Sequence, residues 1–411
     1  MPVIAHQELE KQITKIVQAM GSSLAEAKTV AHNLVLANLK GHDSHGVGMI
    51  PRYVEAFLEG VLKINQGCQV RSDLGSLLVL DAQQGYGQVV GEEAMQLGIE
   101  RAHKHGSCIV SLSNAHHLGR IGHFAEIVAS QGLVSIHLVN VRSLPVVAVW
   151  GGGDGRHGTN PFCIGVPIKN NAPFILDFAT SRVAQGKMRV AFNQGKTMEP
   201  GYLIDPQGRP TQDPGVVVKP NADGKMGALM PFGEHKGSGL AIACELLAGA
   251  LTGSGTWKPR PKKSRAIWNG MLSILINPQS TNTQEQFDTE VASFVSWVKQ
   301  SPAAHPSSPV QIAGEPELLI MQTRMKQGIE IDDQTWTDIV HAAKQFDAEV
   351  ASFVSWVKQS PAAHPSSPVQ VAGEPELAIM QSRMKQGIKI DDQTWTDIVH
   401  AAKQFDVPIN Q

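Results

Sequence analysis

The feature that most constrains this sequence is that it repeats itself near its end. Phe287–Gln345 recurs as Phe346–Gln404, a period of 59 residues with five differences: Thr289/Ala348, Ile312/Val371, Leu319/Ala378, Thr323/Ser382 and Glu330/Lys389. A solenoid keeps a pattern while its surfaces diverge, and it stacks several units. Here there are two copies, almost letter for letter. Each carries an apolar stripe, in the first copy Val291, Phe294, Val295 and Val298, then Ile331, Trp336, Ile339 and Val340. Such a stripe wants one complementary surface. The rest of the chain is not duplicated and offers that surface once. The two copies are therefore expected to compete for it, or one docks elsewhere or swaps onto a partner.

The remainder is long enough for one large or two medium domains, with 42% hydrophobic residues in a chain of 411. Basic and acidic side chains nearly cancel, 35 against 37, and form no block of one sign. That disfavours a nucleic-acid partner or an anionic membrane surface. Met1 to Met20 mixes charged and apolar residues and has no leader-like apolar core. No apolar run approaches the roughly 20 residues that span a bilayer. Cys68, Cys108, Cys163 and Cys244 form no CxxC pair, which reads as reduced thiols in a cytoplasmic protein and disfavours structural zinc.

Local signals outline an α/β chain. Ser23-Leu-Ala-Glu26 has the capping-box pattern ahead of an amphipathic run to Leu39, with Gly41 able to close it. Pro51 suits the first turn of a second helix that ends before Gly60. Leu77–Leu80 reads as a strand, Gln88–His105 as a helix stopped by Gly106, and Ser107–Leu112 as a strand. Ile121–Gln131 reads as a helix and Leu133–Val139 as a strand. This succession is a βαβ unit. Phe174–Phe178 and Met271–Ile276 are apolar strands, and His235–Leu251 is a helix opened by a glycine-rich turn. Gln279–Glu285 reads as a linker and Ser301–Pro309 as a loop between helices.

Four clusters have the residues for chemistry. Asp43-Ser44-His45 lies in the connection between two helices, and an imidazole can give or take a proton near neutral pH. A surface loop with capping Asp and Ser would look the same. His116 and His117 follow a strand and precede a helix, the sheet edge where α/β proteins bind ligands. Asp177 ends an apolar strand, where it can orient a histidine, hold a ribose hydroxyl or simply cap a helix. Gly233-Glu-His235-Lys236-Gly237 allows close backbone approach and adds a point charge suited to phosphate or carboxylate, unless it is only a solvated turn. Gly153-Asp-Gly-Arg-His-Gly158 fits G-x-G-x-x-G, but extended residues follow it instead of a helix, so it is not read as a dinucleotide fingerprint. The histidines have no metal-ligand spacing, and no metal is expected.

Taken together these segments resemble the malate/L-lactate dehydrogenase family, which also holds L-sulfolactate and ureidoglycolate dehydrogenases. The carrying residues are Gly41–Val47, Ser113–Gly119, Gly158–Pro161, Leu176–Ser181, Glu234–Gly237 and Gly314–Pro316, in family order. Within the family the chain is most similar to the hydroxycarboxylate dehydrogenase B branch. The resemblance implies an α/β fold that binds NAD or NADP without a Rossmann fingerprint, a mixed sheet with flanking helices, and a helical domain from both termini. It implies a helical domain of 1–75 with 287–346, an α/β dinucleotide- and substrate-binding domain of 76–286, and a duplicate at 347–411. It also implies a homodimer.

On that pattern His45 matches the proton donor, with His117 and Asp177 as further catalytic residues. Gly119, Arg120, Asp177, Phe178, Ala179, Thr180, Ser181, His235, Lys236, Gly314 and Glu315 match cofactor-binding positions, and Ser44, Met49, Arg52 and Asn160 face the substrate. There is one departure. Family members often carry, four residues after the histidine, an arginine that clamps a substrate carboxylate, and here that position is Met49. The clamp is expected to move to Arg52, Arg120 or Lys236, and the substrate to be a 2-oxo acid with a larger or aromatic side chain. The implied reaction is interconversion of 2-oxo and 2-hydroxy acids. The alternative is a catalytically inactive or interaction protein, disabled by its duplicated end.

Overall fold

The computed structural model describes residues 2–193, 195–258, 266–305 and 308–346. The duplicate expected at 347–411 lies outside the described residues.

Helices α1 (His6–Ala19) and α2 (Leu24–Leu39) pack together at the N-terminus. Ser23 caps α2, its hydroxyl accepting from the Glu26 N–H at 3.2 Å. The reciprocal half of the capping box is not made. The Glu26 carboxylate instead accepts from the Asn65 N–H at 2.8 and 2.9 Å, tying α2 to the chain beyond α3 (Ile50–Leu58).

Then follow β1 (Gln69–Asp73), β2 (Leu77–Asp81), α4 (Gly87–His105), β3 (Ser107–Ala115), α5 (Gly122–Ser130) and β4 (Val134–Arg142). Next come β5 (Phe162–Val166), β6 (Phe174–Phe178), α6 (Gln185–Asn193), α7 (His235–Cys244) and β7 (Trp268–Ile276). Helices α8 (Gln284–Lys299), α9 (Glu315–Gln327) and α10 (Asp333–Lys344) close the described chain.

The main sheet has seven strands in the order β1-β2-β3-β7-β4-β5-β6. Strands β2 and β3 are parallel, with α4 as the crossover, which is the anticipated βαβ unit. Strand β7 enters antiparallel between β3 and β4, so the sheet is mixed. Its first residues, Trp268-Asn-Gly, lack a strand's apolar pattern, which is why only 271–276 was legible. The core lies between this sheet and α4 and α5, with Leu78, Leu80, Val110, Leu112, Met95 and Phe124 buried. On the other face Cys244 and Ala248 pack on Leu138.

Two features went unread in the sequence. A second, five-stranded sheet is built from pieces two or three residues long between Val147 and Leu229, too short for any periodicity. The helix expected over 235–251 is α-helical only to Cys244, and Glu245–Leu251 widens into a π-helix. There the Glu245 carboxylate accepts from Asn160 Nδ2 at 2.8 Å and from the Trp257 N–H, drawing the turn toward β4.

The two halves of the repeated segment behave differently. Residues 279–283 hold a 3₁₀ turn and the capping box of α8, in place of a plain linker. No residue of α8 is fully buried, and Phe294 and Trp297 are 64% and 69% exposed. Of the expected stripe, Val291, Val295 and Val298 are half-buried and Phe294 is exposed, so that face is covered only in part. The second half does dock: Ile331, Trp336, Ile339 and Val340 are buried, and Ile329–Glu330 pairs with Val3–Ile4. The first copy thus holds the single surface. Among the described residues no helix is long and apolar enough to cross a membrane.

Candidate active site

The loop after α2 is held by one asparagine. Asn38 donates from Nδ2 to Asp43 at 2.6 Å and accepts at Oδ1 from the Val47 N–H at 2.8 Å, spanning the 3₁₀ turn Asp43–His45. The first copy of the repeat grips the same loop from outside. Arg324 donates to both oxygens of Asp43 at 2.7 and 3.0 Å, and Glu317 lies 3.5 Å from His42. Residues Gly48 and Ser44 are also covered, by Thr335 of α10 and Gly186 of α6.

His117 arrives from the end of β3. Its neighbours are anchored: the His116 N–H donates to the Gly85 carbonyl at 3.0 Å, and the Leu118 N–H to Asn269 Oδ1 at 2.9 Å. Only glycine fits at the start of α4, since a Cβ at Gly87 would stand 2.3 Å from the His117 carbonyl oxygen. The two elements meet at the imidazoles. His45 Nδ1 is 3.3 Å from His117 Nε2, and the rings meet edge to edge, with centroids 5.4 Å apart and planes 16° apart. His117 Nδ1 is 2.7 Å from the Tyr53 hydroxyl, and Gln88 Nε2 donates to that hydroxyl at 2.6 Å. His45 keeps an accessible edge, and its Nε2 has no hydrogen-bond partner among the described residues.

The electrostatics favour neutral rings. Burial, then the nearby His42 and Arg120, pushes the His45 pKa down to about 4. Burial takes His117 well below its ordinary value, aided by His45, His116 and Arg52. Burial and Arg52 take His116 to about 3. Burial drives the Tyr53 phenol upward against the Gln88 hydrogen bond, so it stays protonated. Positive groups crowd a site of neutral imidazoles, an environment that attracts an anion.

Several anticipated residues have other partners. Among the described residues Asp177 is hydrogen-bonded to a backbone N–H and to no histidine. Its carboxylate accepts from the Gly122 N–H at 2.7 Å, capping α5 beside Arg120. Burial pushes that carboxyl up, with Arg120 opposing. Arg120 donates to Glu126 at 2.6 Å, and Lys40 reaches the same carboxylate at 2.5 Å, which commits Arg120 to structure. Asn160 is fully buried with its amide donating to Glu245 and the Ala241 carbonyl, while its Oδ1 accepts from the Val141 N–H. Thr180 donates to the Thr159 and Asn160 carbonyls, and Ser181 to that of Val183. Phe178 meets Phe162 and Phe232 edge to face, and Ala179 joins it to Thr180.

Gly119 turns at φ 81, and a Cβ there would lie 3.1 Å from Asn33 Oδ1 and 3.4 Å from Gln88 Nε2. His235 and Lys236 are exposed in the first turn of α7, which no side chain caps. Gly314 sits at φ 99 against the backbone of Pro173 and Ile175. Glu315 is bound by Lys299 and accepts from the Ile312 N–H at 3.0 Å. Met49 and Arg52 lie on the turn and helix that follow His45.

Tyr53, Gln88, Asn38, Arg324 and Arg189 went unnoticed in the sequence. Tyr53 had a signal. The chain has only 3 tyrosines, and one on the helix that follows the histidine-bearing connection marks a phenol that needs a partner once buried. Arg189 approaches Gly48, to within 3.7 Å of where a Cβ would stand. Nothing in the spacing reveals it.

Comparison with known proteins gives a consistent answer. A family model described as malate/L-lactate dehydrogenase matches residues 4–340. Hydroxycarboxylate dehydrogenase B of Escherichia coli (strain K12) is 44% identical over 341 residues, covering 82% of this chain and 93% of that protein. L-lactate dehydrogenase of Cupriavidus necator is 36% identical over 327 residues, covering 79% and 92%. Among solved structures, the sulfolactate dehydrogenase of Methanocaldococcus jannaschii superposes with TM-score 0.74 at 30% identity, covering 85% of this chain and 99% of that one.

Proposed function

The chain belongs to the malate/L-lactate dehydrogenase family, and from that premise we propose that it interconverts 2-oxo and 2-hydroxy carboxylic acids with NAD or NADP, using His45 as the proton donor. The observation that carries this reading is the His45–His117 pair, which leaves one imidazole nitrogen open to a ligand. A bound reduced nicotinamide supplies hydride to C2 of the oxo acid. The first turn of α7, which no side chain caps, and Lys236 suit a pyrophosphate, because a helix N-terminus and a cation favour phosphate oxygens. Gly119 and Arg120, the strand end Asp177–Ser181, His235, Gly314 and Glu315 would border the dinucleotide.

His45 hydrogen-bonds the carbonyl oxygen and delivers a proton as the alkoxide forms. Its lowered pKa means that the charged form gathers only when an anion arrives. The substrate carboxylate is that anion, so substrate and proton bind together. Of the expected clamps Arg120 is held by Glu126, and Arg189, whose guanidinium approaches Gly48, joins Arg52 and Lys236 as a candidate. Methionine at 49 leaves an apolar wall, which favours 2-oxo acids with larger or aromatic side chains over malate. Ser44, close under Gly186, shapes the same wall.

An inactive protein is the weaker reading, because the first copy is docked and its Arg324 secures the histidine loop. A homodimer in the cytoplasm is supported by the exposed Phe294 and Trp297 of α8 and by four unpaired thiols. The test is absorbance at the nicotinamide band, with both cofactors and a panel of alkyl and aryl 2-oxo acids. Absence of turnover across the panel with both cofactors overturns the proposal.

A further inference from the structure

We propose that Tyr53 and Gln88 are positioning residues that decide which nitrogen of His45 carries its proton. The inference deepens the reading of His45 as proton donor and rests on it for its catalytic meaning.

An amide nitrogen only donates, so with Gln88 Nε2 2.6 Å away the Tyr53 oxygen is an acceptor. The reversed amide would offer the phenol proton the buried Gln88 Oε1, which is unpartnered among the described residues. It inverts every later step and is the alternative the spectra below decide against. The phenol proton then points elsewhere, and His117 Nδ1 lies 2.7 Å off. A phenol that donates there makes Nδ1 the bare nitrogen of a neutral ring, which puts the His117 proton on Nε2. That nitrogen faces His45 Nδ1 at 3.3 Å and donates to it. His45 is left with its proton on Nε2, the nitrogen open to substrate. The polarity thus runs from Gln88 through Tyr53 and His117 to His45. Each step follows from the one before, because a neutral imidazole has one donor and one acceptor.

Two further observations fit. Tyr53, Gln88 and His117 are all buried, at 0%, 0% and 8% exposure, so water does not compete for these bonds. Burial also keeps the rings neutral in the resting protein, the condition under which a tautomer has meaning. The resting enzyme therefore presents a donor to an incoming carbonyl oxygen. When His45 becomes charged it also gains a proton at Nδ1, and His117 Nε2 must accept it. His117 then carries its own proton on Nδ1 and donates to the phenol oxygen, and the displaced phenol proton turns to Gln88, whose amide reverses to present its Oε1. Tyrosine serves both polarities, and phenylalanine serves neither.

The experiment is long-range ¹⁵N–¹H correlation spectroscopy on the full chain labelled in histidine, at neutral pH without cofactor or substrate. His45→Gln and His117→Gln assign the signals. The expected result is the Nε2–H tautomer at both residues. In Tyr53→Phe both should become tautomer mixtures, while circular dichroism stays unchanged. In Gln88→Glu, whose carboxylate accepts the phenol proton, both should turn to Nδ1–H. An Nδ1–H tautomer of His45 in the unsubstituted protein, or spectra indifferent to Tyr53→Phe, overturns the proposal. Should a variant fold poorly, the unsubstituted spectrum still decides. None of this uses turnover, so the polarity can hold even if His45→Ala remains active, and that outcome strikes only at the donor role.

Discussion

Arg324 holds both carboxylate oxygens of Asp43, at 2.7 and 3.0 Å, and Asp43 stands two residues before His45. The C-terminal segment thus reaches the loop that carries the proposed proton donor. The pair is partly exposed and contributes on the order of 1 kcal/mol or less to stability. Its effect on geometry is larger, since a small misplacement of a reacting group can cost about 100-fold. Arg324→Met should therefore lower kcat for the best 2-oxo acid by roughly 10-fold or more, with the melting temperature little changed. Steady-state kinetics and thermal melts on the full chain check this, and a large fall in melting temperature with kcat intact contradicts it. The second copy carries the same arginine as Arg383, so weak loss in the full chain points to exchange between copies.

His45→Ala should cut turnover by about 10²–10⁴-fold, the range of general acid assistance. Cofactor affinity should hardly move, as read by nicotinamide fluorescence titration. Equal losses in affinity and turnover would show that the ring serves binding instead.

Met49→Arg restores a planar fork able to take a carboxylate through two parallel hydrogen bonds. It should raise kcat/KM for short 2-oxo acids relative to aryl ones by roughly 10-fold, since a charge-assisted bond is worth about 1.5–3 kcal/mol. The ratio across a substrate panel is the measurement, and an unchanged ratio removes Met49 from the substrate wall.

How much of this was legible follows from what sequence can carry. His45 and His117 stood out because each lies at an element boundary marked by glycine, and β2-α4-β3 was readable from its period and from Gly106. The bond between the two imidazoles spans 72 residues and no pattern encodes it. Asp177 was placed on the right strand end, but its partner, the Gly122 N–H, is a tertiary fact. The second sheet is made of fragments too short to show alternation. The α8 stripe has helical spacing, and spacing alone does not say whether a face meets the core or stays open.

Glu126 neutralises two cations, Arg120 and Lys40, in a nearly dry setting, where Arg120 is 3% exposed. Burial works against its ionisation, but the two cations outweigh it and hold the carboxyl below its ordinary range. Glu126→Ala leaves a buried guanidinium unpaired next to Asp177, which should cost about 3–5 kcal/mol. Chemical denaturation measures it. A loss under roughly 1 kcal/mol, the worth of a surface pair, would mean that Asp177 takes over as the partner of Arg120.

The same burial that keeps the imidazoles neutral sets the response to acid. His45 lies at about 4, His116 and His137 (buried on β4 between Ser135 and Ser273) at about 3, and His117 well below its ordinary value, with burial the leading cause in each. The unfolded chain binds these protons near pH 6.5, whereas the folded one resists them. Their contribution is therefore complete above about pH 6.5 and is lost as pH falls toward the folded values, at about 1.4 kcal/mol per unit for each fully buried ring. The melting temperature should be flat near neutrality and fall steeply below about pH 6. His116, whose ring nitrogens have no hydrogen-bond partner among the described residues, offers the test. His116→Phe keeps an aromatic ring against Tyr53 and removes one titrating group, so the descent should become shallower. Activity should move the other way. Reduction needs a protonated His45, so kcat/KM for a 2-oxo acid should fall about tenfold per unit as pH rises above the free-enzyme value near 4. A profile that instead rises from pH 6 to pH 8 would place the proton on some other group.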